Sequence, residues 1–290
     1  MSLTMRAASY AYAGTRKPVL EGIDLEVGPG RLVAVVGPNE SGKSTLCLVA
    51  AGLAPAAIGG RLTGSVVLDG AETATLKPHE AAQRCGILFQ NPATQLSGTS
   101  ATVWEELAFG PRNLGLSVDE VVERVETAMT TLRIGNLAER DPHRLSGGQA
   151  QLVALASVVA LRPSMFVLDE PTSQLDPAGT RLVGDALARL ATGGTAILLV
   201  EHKTGLVERV ADEVVLLVGG RVESVGPAAT VLADARLGEA GVDPPPSARI
   251  AEALAAAGQA DRLAGIDLAA LESEPITAKP IGANGLAGTG

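Results

Sequence analysis

Aromatic side chains are almost missing from this chain of 290 residues. Three Phe, two Tyr and one Trp make up 2% of it, although 46% is hydrophobic. Its core therefore has to be packed from Val, Leu, Ile and Ala. Cysteine is equally scarce: Cys47 and Cys85 are the only two, and they stand in no C-x-x-C spacing. Buried thiols in a reducing cytosol are the simple reading. Basic charge is in deficit as well, with a formal net charge of −9. A phosphodiester backbone demands clustered Lys and Arg, so nucleic acid is not expected as a partner. No N-terminal stretch has the charged, apolar, small-residue order of a signal peptide. The longest apolar run, residues 152–161, falls well short of the ~18–20 residues that cross a bilayer. Any membrane role is expected to be borrowed from a partner.

What the chain does have is glycine in one informative place. Residues 37–45 read GPNESGKST, between an apolar run (Leu32-Val33-Ala34-Val35-Val36) and a helix-like segment from Leu46. Strand, glycine-rich turn and helix is the setting that makes G-x-x-x-x-G-K-[ST] a phosphate-binding loop. Gly37 and Gly42 let backbone N–H groups point inward, and the helix N-terminus adds its positive end. Lys43 reaches terminal phosphates, and the Ser44 hydroxyl can ligate Mg²⁺. Asn39 and Thr45 belong to the same string as nucleotide contacts.

Short runs at residues 3–12 and 23–27 read as strands of an antiparallel layer. Tyr10 and Tyr12 lie two apart, on one side of such a strand; one of them could stack on an adenine ring, or both could be ordinary strand-surface tyrosines. Residues 64–70 and 86–89 read as further strands, the second ending at Gln90. Ser117 and Glu120 have the capping-box spacing, and Val121, Val125, Met129 and Leu132 follow at helical intervals. Near-continuous apolar strands return at residues 165–168, 195–200 and 214–218, separated by helical segments. This alternation predicts an open α/β sheet. Ser247 reads as the cap of a helix carrying Ile250 and Leu254 and ended by Gly258.

Asp169-Glu170 closes one buried strand. An Asp there can hold Mg²⁺, and the next carboxylate can take a proton from an attacking water. A pair of acids capping a helix would look alike, but the phosphate loop on the same sheet favours the Mg²⁺ role. Leu145-Ser146-Gly147-Gly148-Gln149 precedes a helix-like run and offers a second anion cradle; a flexible turn has the same composition. One chain cannot easily aim two cradles at one nucleotide, whereas two copies head to tail can.

LSGGQ with GPNESGKST and LDEPTSQLD, in this order and spacing over about residues 3–226, resembles the ATP-binding cassette (ABC) ATPases. The resemblance implies ATP and Mg²⁺ as ligands. It also implies that Ser146, Gly147, Gly148 and Gln149 of one subunit close over ATP held by the loop of another. It gives Tyr12 the adenine-stacking place, with Tyr10 as the fallback. Gln90 becomes a sensor of Mg²⁺ and attacking water, Asp176 part of the loop that communicates across the dimer, and His202 the switch histidine at the γ-phosphate. The metal set so implied is Ser44, Gln90 and Asp169; the catalytic set is Glu170, His202 and Gln90.

A narrower resemblance rests on FQNPATQL (from Phe89), WEELAFGPRNLGL (from Trp104), EHK (from Glu201) and the C-terminal GVDPPPSARIAEAL. These are similar to the ATPase subunits of energy-coupling factor (ECF) transporters, which import vitamins or transition-metal ions. The implied partners are a second copy or a paralogous ATPase, a transmembrane coupling protein, and a small substrate-binding membrane protein. The implied location is peripheral, at the cytoplasmic face of the cell membrane. Trp104 and Phe109 would lie near the groove for the coupling protein, or in the core of the helical subdomain. Two positions depart from the family pattern: Glu40 where Gly is usual, and Leu152 where many relatives have Arg. The expected fold is α/β: a P-loop NTPase core of RecA-like type with an antiparallel β layer and a helical subdomain (about 91–157) within 1–226. A C-terminal helical dimerisation extension (227–274) and a disordered tail (275–290) complete the expectation.

Overall fold

A computed structural model describes residues 2–257. The chain opens with β1 (Leu3–Ala11) and β2 (Leu20–Val27), then runs through β3 (Leu32–Val36) into α1 (Lys43–Ala50). It returns along β4 (Arg61–Leu68) and the short β5 (Ala71–Glu72), and α2 (Pro78–Arg84) leads into β6 (Cys85–Leu88). Three helices follow: α3 (Val103–Asn113), α4 (Val118–Thr131) and α5 (Gly147–Ala160). Strand and helix then alternate through β7 (Met165–Asp169), α6 (Pro177–Thr192), β8 (Ala196–Val200), α7 (Thr204–Val210) and β9 (Glu213–Val218). Strand β10 (Arg221–Pro227) doubles back before α8 (Ala228–Leu232), α9 (Arg236–Glu239) and α10 (Pro246–Ala256).

The strands form two sheets. One has four antiparallel strands in the order β2-β1-β4-β5; the other has six, β10-β9-β3-β8-β7-β6, parallel except for the edge strand β10. This is the P-loop NTPase α/β architecture with an antiparallel layer that the sequence predicts. Every residue of β3, β7 and β8 is buried, as two-sided coverage requires. Because side chains alternate along a strand, Leu32, Ala34 and Val36 enter one core with α5 and the other helices of that face. Val33 and Val35 enter a second core with α1 and the antiparallel sheet. Both cores are aliphatic: Phe166 is the one aromatic among the buried residues of the first, Tyr10 of the second. Cys47 and Cys85 are free and buried, and burial pushes the Cys85 thiol up to about 12.

Helix α4 starts on the expected reciprocal cap, Ser117 with Glu120, and buries Val121, Val125 and Met129. At α10 the expectation fails. Pro246, whose fixed φ suits a first helical position, begins the helix one residue before Ser247. The Ser247 hydroxyl is thereby free to donate to the Glu208 carboxylate at 2.6 Å instead of capping. Gly258, the rest of the expected extension and the tail lie outside the described residues. Strand β10 escaped the sequence reading because it is an exposed edge, although Gly219-Gly220, both at positive φ (54° and 80°), marks its hairpin turn. Among the described residues no helix is long and apolar enough to cross a membrane.

Leu198 is fully buried in β8, between the strands that carry the two halves of the site. Leu198→Ala is expected to lower the unfolding free energy by about 2–5 kcal/mol in a urea titration. A loss below about 1 kcal/mol would be incompatible with a packed central strand.

Candidate active site

The parallel strands deliver four loops to one edge of the sheet, the carboxyl ends where α/β proteins bind ligands. The loop after β3 turns on Gly42, at φ 100°, and α1 starts at the next residue, Lys43. Gly37 tolerates no side chain, since a Cβ would collide with the Leu217 carbonyl of β9. Asn39 and Glu40 are exposed on this loop. Glu40 has φ 63°, a left-handed backbone that costs a non-glycine residue on the order of 1–2 kcal/mol. The Lys43 ammonium donates to the carbonyls of Gly37 (2.9 Å) and Pro38 (2.7 Å). Burial pushes it below the ordinary lysine range, and the carboxylates of Glu170 and Asp169 pull it part of the way back. Ser44 follows in the first turn of α1, and Thr45 Oγ1 lies 3.1 Å from the Tyr12 hydroxyl.

The other loops converge on Glu170. Its Oε2 accepts from Gln90 Nε2 at 3.0 Å, and its Oε1 accepts from His202 Nε2 at 2.9 Å. Glu170 itself sits at φ 50°, and its N–H donates to the Val200 carbonyl at the end of β8. That strained turn lets consecutive carboxylates part company: Asp169 stays buried at the end of β7 while Glu170 bridges Gln90 and His202. Burial pushes the Asp169 carboxyl above the usual carboxylate range, and the neighbouring Glu170 adds to the shift. The Ser44 hydroxyl and the charges of Lys43 and His202 oppose it.

Asp169 Oδ1 is buried without a hydrogen-bond partner among the described residues. A buried carboxylate oxygen left open beside a serine hydroxyl fits a hard, oxygen-seeking cation such as Mg²⁺. No group of three or more His, Cys, Asp or Glu that could hold a metal occurs among the described residues. The remaining ligands of such a cation would be phosphate and water, which is the habit of Mg²⁺ at nucleotide sites.

Of the two tyrosines, Tyr10 is excluded as the adenine platform. It is fully buried, its hydroxyl donates to the Gly59 carbonyl at 2.6 Å, and its ring meets Tyr12 edge-on at 5.1 Å. Tyr12 stands past the end of β1, half-buried, and reaches the first turn of α1.

A family model described as "ABC transporter" matches residues 20–173. The chain belongs to the ABC transporter family. It is 39% identical over 239 residues to the energy-coupling factor transporter ATP-binding protein EcfA of Methanothermobacter thermautotrophicus, covering 81% of this chain and 74% of that one. It is 40% identical over 247 residues to the cobalt import ATP-binding protein CbiO of Rhodobacter capsulatus, covering 84% and 85%. Among solved structures, cbiO1 of Clostridium perfringens, described as part of the ABC transporter complex cbiONQ, superposes with a TM-score of 0.73. It is 28% identical, over 90% of this chain and 98% of that one.

In this ABC ATPase the polar side chains of the signature turn bond to the turn itself. Ser146 caps α5 and Gln149 completes the reciprocal box, so both side chains are engaged within the motif. Among the described residues, no hydrogen bond joins Ser146, Gly147, Gly148 or Gln149 to Lys43, Asp169, Glu170 or His202. Asp176 caps α6 through the Gly179 N–H at 2.7 Å. Leu152, the departure from the family's Arg, is half-buried and packs on the first core. Sequence reasoning used Glu201, Lys203, Thr172 and Glu106 only as letters of the family strings and gave them no structural role, yet all of them hold loops of this edge in place. The available signal was a charged residue (Glu201) ending a wholly apolar strand.

Asp169 carries an electrostatic penalty that sets a pH prediction. With the folded pKa raised above the ordinary 3.8, the unfolded chain gives up its proton first as pH rises. Asp169 therefore costs nothing in strong acid, begins to destabilise the fold as pH rises past the ordinary 3.8, and exacts its full penalty once pH exceeds the raised value. Asp169→Asn is expected to raise the melting temperature at pH 7 in chelator, with the advantage shrinking as pH falls and vanishing below about 4. Equal melting temperatures at pH 7 would refute the penalty.

Proposed function

We propose that this ABC ATPase powers an ECF-type importer of a vitamin or transition-metal ion, as a head-to-tail dimer beneath a transmembrane coupling protein. The observation that carries the hydrolytic part is Glu170 held between Gln90 and His202, beside a phosphate loop and a buried, unpaired Asp169 oxygen. The transport part is supported by relatives named as energy-coupling factor and cobalt import ATP-binding proteins. Dimerisation is inferred from the signature turn, whose Ser146 and Gln149 side chains bond within the motif while Lys43, among the described residues, bonds only to its own loop. A second protomer, identical or paralogous, would bring Ser146, Gly147, Gly148 and Gln149 to each nucleotide, with Asp176 alongside.

In this reading Tyr12 stacks on adenine, and Asn39, Gly42, Lys43, Ser44 and Thr45 hold the phosphates. Lys43 exchanges the carbonyls of Gly37 and Pro38 for phosphate oxygens. Ser44, Gln90 and Asp169 are the residues that would hold Mg²⁺, which neutralises charge on the β- and γ-phosphates. Glu170 takes a proton from the attacking water, and the Gln90 amide and His202 Nε2–H fix the carboxylate that receives it. Closure and opening of the dimer move the helical layer (α3–α5) that grips the coupling protein. A small membrane protein supplies the substrate, and the ATPase sits peripherally at the cytoplasmic face. Residues 1–226 would form the ATPase domain, with 91–157 as its helical subdomain and 227–274 as a dimerisation extension.

Glu170→Gln keeps the shape of the side chain and removes the base. Turnover should fall by about 10²–10⁴-fold while ATP-driven dimerisation, read by light scattering, persists. Retained turnover would take Glu170 out of this role. On the helical layer Trp104 packs against the first core, whereas Phe109 is 46% exposed. Phe109→Ala is therefore expected to reduce co-purification with the coupling protein and leave ATP turnover of the chain alone unchanged. Recovery of a secreted binding protein instead of a small membrane protein would favour another importer class.

A further inference from the structure

Glu201 and Lys203 flank His202, and both reach into the loop that follows Glu170. Glu201 is 1% exposed at the end of β8. One of its carboxylate oxygens accepts the backbone N–H groups of His202 (2.9 Å) and Lys203 (3.2 Å). The other accepts the hydroxyl of Thr172, a fully buried residue, at 2.7 Å. The Lys203 ammonium closes the same junction from outside. It donates to the carbonyls of Thr172 (2.7 Å) and Leu175 (3.1 Å) and to the Thr180 hydroxyl in the first turn of α6 (3.0 Å). Three donors meet three acceptors, so the ammonium has no hydrogen left to spend elsewhere.

The clamped segment is short and internally turned: Ser173 N–H donates to the Glu170 carbonyl and Leu175 N–H to that of Thr172. It ends at Asp176, the cap of α6. Its other flank lies against the signature turn. A Cβ on Gly147 would collide with the side-chain oxygen of Gln174, and one on Gly148 would stand 3.3 Å from the Gln174 carbonyl. The loop is thus wedged between the chain's own signature glycines and the backbone of its own His202. A buried carboxylate cannot give up its partners cheaply, so these pieces shift together or not at all.

We propose that Glu201 and Lys203 are positioning residues that lock the loop carrying Asp176 to the backbone of His202, so that displacement of the signature turn or of that loop moves His202 against Glu170. The inference rests on the hydrolytic roles of Glu170 and His202 proposed above. Through this lock, a protomer whose signature turn engages a nucleotide on its partner reports the event to its own hydrolytic pair. The two sites of a dimer would then be coupled within each chain as well as across the interface.

The test is ATP turnover by the full chain carrying Lys203→Met, with the volume-conserving Thr172→Val as a second, milder variant. Either should lower kcat by about ten- to a hundredfold, as small misplacements of catalytic groups do, with KM for ATP little changed. The Hill coefficient for ATP should fall toward unity. In a His202→Ala background, adding Lys203→Met should cost nothing further in single-turnover rate, because its effect passes through His202. An equal additional loss in that background would overturn the proposal. So would a lowered melting temperature with kcat and Hill coefficient intact in both variants, which describes a clamp for stability alone. Glu170→Gln, run alongside, separates the two layers of the argument. Turnover retained there defeats the hydrolytic assignment, whereas normal turnover in Lys203→Met and Thr172→Val beside an inactive Glu170→Gln defeats only the lock.

Discussion

The carboxylate of Glu170 is held from both sides, by an amide 80 positions earlier in the chain and by an imidazole after the neighbouring strand. Neither bond could form unless β6, β7 and β8 ended at the same edge of one sheet, side by side. Parallel strands meet that condition because each crossover helix returns the chain to the opposite edge before the next strand begins. The aliphatic composition serves the same end: a sheet covered on both faces is built from Val, Leu and Ile, whose shapes interdigitate without demanding hydrogen-bond partners. The paucity of aromatics thus limits the material of the core and leaves its architecture intact.

The site carries costs that the rest of the fold offsets. Lys43 is charged in a place that burial disfavours, Asp169 keeps a buried oxygen unpaired, and Glu170 and Glu40 sit in left-handed backbone. Such costs are typical of sites whose missing partners come from a ligand, and in the proposed function phosphates and a cation would supply them. Glu40 differs from the others. Its φ of 63° explains why glycine suits the position, and its side chain is exposed. Leu152 shows the opposite kind of departure, a charged position of the family converted into core contact.

Around this edge, charged side chains serve as fasteners between loops. Glu106 accepts from Ser97, tying the segment after Gln90 to α3, while Glu201 and Lys203 bind the segment after Glu170 to the end of β8. Each is a charge satisfied by several donors or acceptors, the condition under which burial of a charge is tolerated. Two of the loops at this edge, those after β6 and β7, are therefore each held by their own polar anchor.

Much was legible in the chain itself. The phosphate loop, the paired acids, the signature string and the buried strands each depend on local order and spacing, so one sequence suffices to find them and the family they belong to. What spacing could not supply is contact between distant residues. Whether Tyr10 or Tyr12 stays accessible depended on packing against Gly59, and whether Ser247 caps a helix depended on Pro246 and on Glu208 across the fold. The functions of Glu201, Lys203 and Thr172 arise only when the ends of β7 and β8 lie together. Local chemistry is written in neighbouring letters; partnership between loops is a property of the sheet that aligns them.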